Sequence, residues 1–247
     1  MKILHLYHDI MNLYGEYGNI VLLTQVLTAC GIEVQVVTCS LWEKPDFTDV
    51  DFLYLGAGTE DNQKVVLEQM KEYGKELQEY VLSGGMGLFT GNAFEILGET
   101  IRDSEGKEWK GLGLASFMVS QQKKSRLTGD AIVTYSELEE PLVGFINKCS
   151  EIEGICSPCF QIVMGMGNEK DGKTEGIQDK EIIGTHLTGP ILVKNPYFLL
   201  FLVDKLVKKE RSSGLLEEEK AELLKGVLSK PKAAYDVTLR ELKKRMG

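Results

Sequence analysis

The sequence predicts an α/β fold: a three-layer, mostly parallel sheet flanked by helices, with a helical C-terminal tail. Three observations lead there. Up to Gly98, short β-rich apolar runs alternate with stretches of helical periodicity, the pattern of a parallel sheet covered on both faces. Glycine clusters close several of these runs, at Gly31, Gly56-Ala57-Gly58 and Ser83-Gly84-Gly85. A hydrophobic content of 43% over 247 residues supports a substantial core.

The elements follow in order. Ile3 to Tyr7 is a β-rich run, followed by a polar loop with Gly15 and Gly18. Asn19 to Cys30 carries apolar residues at helical spacing and stops at Gly31, a good residue just past a helix end. Glu33 to Thr38 and Asp51 to Leu55 read as strands, and Lys64 to Leu82 as one helix. Met86 to Thr90 is a further strand, with a helix expected after the turn at Gly91. Beyond Gly98 the pattern turns to short β segments at Gly113 to Val119, Ala131 to Tyr135 and Phe160 to Met164. Glu181 to Thr188 is the last strand expected, and Asn195 to Lys209 a helix with Pro196 in its first turn. Two charged amphipathic stretches, Leu215 to Leu228 and Pro231 to Met246, read as solvated helices. The division expected is an α/β domain over 1–209 and a charged helical extension over 210–247.

Composition narrows the function classes. The net charge of -9 and the lack of a basic stripe argue against nucleic acid, and the Lys123-Lys124 and Arg126 cluster is too short to alter that. The N-terminus meets charge too early for a signal peptide, and Tyr197 to Val203 is far short of a membrane span, so a cytoplasmic protein is expected. Five cysteines, an odd number, argue against a disulfide framework. Cys30 and Cys39 read as core fillers. Cys156-Ser-Pro-Cys159 has only Cys149 nearby as a third thiol and no neighbouring histidine, so no metal is expected. No cofactor is expected either.

In parallel sheets, ligands bind beyond the carboxyl ends of the strands, which places Asn12 to Asn19, Gly56 to Gln63 and Gly91 to Glu95 along one edge. Gly85 to Gly98 has the strand, sharp turn and helix start that expose a catalytic Ser or Cys, yet the turn holds Gly91 and Asn92. Gly56-Ala57-Gly58 reads either as a tight turn or as backbone N–H groups facing the Gly91 turn as an oxyanion hole. His186 and Thr188, two residues apart on an expected strand, should share a face.

Together the segments resemble class I glutamine amidotransferase domains of the cobyric acid synthase type. Within these they are most similar to the small glutaminase subunits of lipid II isoglutaminyl synthases, which amidate peptidoglycan precursors. The resemblance rests on Asn12 to Ile20, Gly56 to Gln63, Gly87 to Gly98, Arg126 to Asp130, Gly144 to Asn147, Gly184 to Leu192 and Lys194-Asn195, in order over roughly 1–207. It implies a Cys nucleophile at the position of Gly91 and a His base at the position of Thr188, so glutamine hydrolysis is expected to be absent. Gly56, Ala57, Gly58, Asn92, Glu95, Arg126 and His186 are the pocket residues it suggests. The implied role is a non-catalytic subunit forming a heterodimer with a Mur-ligase-type ATP-dependent partner. Two alternatives stay open: a working glutaminase that supplies ammonia for isoglutamine formation, and a sensor that holds glutamine or another small polar ligand with Arg126, Glu95 and Asn92.

Overall fold

A computed structural model describes residues 1–123 and 125–246; Lys124 of the basic cluster lies outside the described residues. Chain alternation builds a six-stranded sheet first. β1 (Lys2–Leu6), β2 (Gln35–Cys39), β3 (Phe52–Leu55) and β4 (Met86–Thr90) are its early strands. α1 (Tyr17–Ala29), α2 (Glu60–Lys71) and α3 (Gly74–Leu82) connect them. The single helix expected over 64–82 is two helices. Glu72 and Tyr73 bond three residues back, to Gln69 and Met70, which ends α2 before Gly74 opens α3.

After β4 the sequence expectation fails again. Residues Gly91–Leu97 form a 3-10 stretch, not an α-helix. Gly91 sits at φ +60, outside the helical region, and the Gln63 side chain takes the Asn92 carbonyl that an α-helical turn would use.

The middle of the chain is richer in strands than expected. β5 (Thr100–Arg102), β6 (Glu108–Lys110), β7 (Met118–Gln121), β8 (Leu127–Tyr135), β9 (Leu142–Lys148), β10 (Ser150–Glu153), β11 (Phe160–Met164) and β12 (Thr174–Glu175) make two four-stranded sheets. Their orders are β10-β7-β5-β6 and β12-β11-β8-β9. β13 (Ile177–Asp179) and β14 (Ile182–Thr185) then complete the main sheet, whose order is β13-β14-β4-β3-β1-β2. All its neighbours run parallel except β13, which pairs antiparallel with β14. α4 (Ile191–Lys194) and α5 (Pro196–Arg211) follow.

Strand alternation decides the layers. Ile3, Phe52, Tyr54, Met86 and Leu88 enter one core with α1, α5 and the inner residues of β8, β9 and β11. Leu4, Leu6, Leu53, Leu55 and Phe89 enter the other, with α2, α3, β5 and β7. Apolar burial on both faces is what makes the central strands read as near-continuous hydrophobic runs.

The end of the chain forms α6 (Glu217–Lys225) and α7 (Ser229–Lys244), with Pro231 inside the first turn of α7. α7 keeps its charged face in solvent and docks by its apolar one. Tyr235 and Leu242 pack on Ile132 and Val143, the Tyr235 hydroxyl donates to the Pro141 carbonyl at 2.7 Å, and Arg245 pairs with Asp130 at 2.8 Å. No helix among the described residues is long and apolar enough to cross a membrane.

Candidate functional site

β3 and β4 are parallel neighbours, so the turns after them face each other at the carboxyl edge of the sheet. There a cavity of about 230 Å³ opens between the Gly58 turn, the Gly91 turn, β9 and Thr188. A larger open groove, about 620 Å³, lies at the amino ends of β3 and β4. The smaller cavity is the candidate site because the expected residues converge on it: Ala57, Gly58, Gly91, Asn92, Glu95, Arg126 and Thr188 all line it. Gly56 and His186 do not. Gly56 is held underneath, where a Cβ would stand 2.6 Å from the Met11 carbonyl.

His186 is displaced for a definite reason. β14 ends at Thr185, whose hydroxyl accepts the Leu187 N–H at 3.0 Å while Glu175 accepts the His186 N–H at 2.7 Å. The ladder stops there, and His186 turns into the interior while Thr188 stays at the cavity. The Thr188 N–H and hydroxyl both donate to the Phe145 carbonyl, each at 2.9 Å, bridging it to β9.

The two facing turns are clasped. The Asn92 side chain accepts from the Gly58 N–H and donates to the Gly58 carbonyl, both at 3.0 Å. The backbone N–H that could point at an oxyanion is therefore already bonded. Thr90 faces the opposite way, to Glu16, which is fully buried and also accepts from the Tyr54 hydroxyl at 2.6 Å and the Gly189 N–H at 3.1 Å. Burial raises the Glu16 carboxyl above the usual range, against the pull of the hydrogen bonds from Thr90 and Tyr54.

Behind the cavity lies a second buried group of charges. Glu95 accepts from Ser150, from Gln63 at 2.7 Å and from the His186 Nε2 at 3.1 Å. Burial pushes its carboxyl up, but the His186 contact and these hydrogen bonds outweigh that and hold it below the usual range. Burial, with Lys148 nearby, lowers His186 to about 4, so the ring is neutral near neutral pH and Nε2–H is the donor. The His186 Nδ1 has no hydrogen-bond partner. Lys148 donates to the carbonyls of Gly167 and Asn168 and is lowered by its burial. Glu175, buried beside it, is pushed up to about 7. Ser150 lies on β10, Lys148 on β9 and Glu175 on β12, while Glu95 follows β4 and His186 follows β14, so the cluster ties the two smaller sheets to the carboxyl edge of the main one at the back of the site.

At the mouth, Arg126 pairs with Glu60 and donates to the Asn147 side chain at 2.9 Å, and Asn147 donates to the Tyr14 hydroxyl at 2.8 Å. Cys149 is the thiol on the lining among the described residues, and it donates to Glu60 at 3.4 Å. Burial, then the charges of Glu60 and Glu95, push it up to about 12, so it is a thiol and not a thiolate near pH 7. Among the described residues no group of three or more His, Cys, Asp or Glu is placed to hold a metal ion.

Residues 2–196 match the family of CobB/CobQ-like glutamine amidotransferase domains. The chain belongs to that family. Two relatives are each described as a lipid II isoglutaminyl synthase (glutamine-hydrolyzing) subunit GatD. The one from Staphylococcus aureus is 31% identical over 210 residues, covering 85% of this chain and 86% of its own. The one from Streptococcus pneumoniae is 29% identical over 212 residues, covering 85% and 82%. A glutamine amidotransferase of solved structure from Thermotoga maritima superposes with a TM-score of 0.53 at 13% identity, over 100% of this chain and 97% of its own. A second solved glutamine amidotransferase gives 0.52 at 12%, over 81% and 97%. At such identities the likeness concerns the fold alone. Within the amidotransferase frame, Gln63, Gln121, Lys148, Ser150 and Glu175 are the site-building residues that sequence reading did not single out.

Proposed function

We propose that this amidotransferase-family chain is a non-catalytic subunit that pairs with a Mur-ligase-type ATP-dependent partner in the cytoplasm, in the amidation of cell-wall precursors. On this reading Gly91 stands where the family's nucleophile belongs and Thr188 where its base belongs. The observation that carries it is the clasp across the site. The Gly58 N–H is bonded to Asn92, and both donors of Thr188 are spent on the Phe145 carbonyl. Gly91 offers no side chain to attack a carbonyl, and neither the Gly58 N–H nor a Thr188 donor is free to meet the oxyanion that would form.

The pairing draws on the relatives, both of which are described as subunits of a glutamine-hydrolysing synthase. A working glutaminase would need another nucleophile, and the protonated Cys149 is a poor one. A sensor would need groups free to meet a ligand, whereas Asn92, Arg126, Asn147, Gln121 and Thr188 each bond within the chain.

The test is co-purification with a Mur-ligase-type protein of the same host, followed by an amidation assay. A stable heterodimer that amidates with ammonium and not with glutamine is expected. Absence of any complex at micromolar concentration would remove the partner from the account.

A further inference from the structure

The Gly91 turn has lost more than a reactive atom: the space beside it is filled. At φ +60, an ideal Cβ on residue 91 would stand 2.6 Å from the Ala57 Cβ, 3.4 Å from the Ala57 Cα and 3.2 Å from the Thr188 Cγ2. Carbon atoms that are not bonded to each other settle at about 3.5–4.0 Å. A contact at 2.6 Å requires one of the two turns to move.

Neither turn is free to do so. The Ala57 carbonyl accepts the Leu13 N–H at 2.9 Å, and the next residue, Gly58, is bonded through both backbone groups to Asn92. On the facing side, the Asn92 carbonyl accepts from the Gln63 side chain at 2.6 Å. Ala57 itself is buried, with 2% of its surface exposed. Backing the two turns apart by the ångström or so that a Cβ needs would stretch both Gly58–Asn92 bonds and the Gln63–Asn92 bond together.

We infer that side chains at positions 57 and 91 are mutually exclusive in this fold, and that Ala57 decides whether the Gly91 turn can carry one. The Ala57 methyl occupies the volume that a nucleophile's Cβ would enter. A single reversion at position 91 therefore fails on packing before chemistry arises. The functional weight of this inference rests on reading Gly91 as the nucleophile position; the exclusion itself does not.

A thermal cycle over the full chain tests it: wild type, Ala57→Gly, Gly91→Ala and the double variant. Gly91→Ala brings three costs, the positive φ, the Thr188 Cγ2 contact and the overlap with the Ala57 methyl, and Ala57→Gly removes only the last, so the cycle isolates that overlap. Overpacking of this size, at the few degrees per kcal/mol usual for a chain of this length, makes the double variant melt about 5 °C above the sum of the two single shifts. Rescue of a Gly91→Ala chain that does not fold counts the same way. Strictly additive shifts, or a double variant no more stable than Gly91→Ala alone, overturn the exclusion. Glutamine hydrolysis by the wild-type chain would instead overturn the reading of the site, and the cycle, which needs no catalysis, would still be scored by itself.

Discussion

Replacing His186 with Gln removes a titrating ring from the centre of the buried cluster and leaves a donor able to face Glu95. The folded ring is lowered to about 4 from an ordinary value of 6.5, mainly by burial. On acidification the unfolded chain therefore takes up the His186 proton first, which favours unfolding. The contribution of His186 to stability is complete above about pH 6.5 and is lost progressively toward pH 4. At about 1.4 kcal/mol per unit, the full window amounts to ~3 kcal/mol. His5 is also lowered to about 4 by burial and adds the same trend, so wild type alone cannot isolate the effect. Glu175, raised to about 7, acts in the opposite sense, since its folded form keeps a proton that the unfolded chain has released. The assay is urea denaturation of wild type and His186→Gln from neutral pH to about pH 4, with the two curves subtracted. The wild type should lose ~3 kcal/mol relative to the variant across that range. A flat difference would refute the neutral buried ring, and a wild type that gains on the variant on acidification would mean a charged His186 paired with Glu95.

Two further predictions concern other parts of the molecule. Truncation after Ser212 uncovers Ile132 and Val143, each 1% exposed, and at ~1.5–3 kcal/mol per side chain the melting point should fall by about 10 °C while the 1–209 body still folds; an unchanged melting point would show that 210–247 contributes no packing. Cys149, pushed up to about 12, should alkylate at pH 7 about a thousand-fold more slowly than a free thiol, with the exposed Cys156 reacting first in a mass-spectrometric time course; equal rates would refute its protonated state.

What the sequence revealed was local. The elbow could be read because Gly91 and Asn92 lie in one turn, and the positive φ there is a property of that turn. The parallel strands could be read because both faces are buried and their apolar runs are unbroken. β9 could not. Its Gly144 interrupts the run, and the structure needs that glycine because a Cβ would stand 2.7 Å from the Leu187 side chain. The buried acids Glu16 and Glu175 were invisible for another reason: partners far along the chain, such as Gly189 and Lys148, help make their burial tolerable. The spacing of Tyr235, Leu239 and Leu242 showed that α7 has an apolar face, but not that Ile132 and Val143 would cover it.

The central claim is that the turn after β4 no longer hydrolyses glutamine. The direct measurement is glutamate released from glutamine by the purified chain, alone and with the proposed ligase-type partner. The account predicts release no faster than the protein-free blank in both cases. Sustained turnover by the wild-type chain alone would contradict it and place the nucleophile elsewhere in the chain.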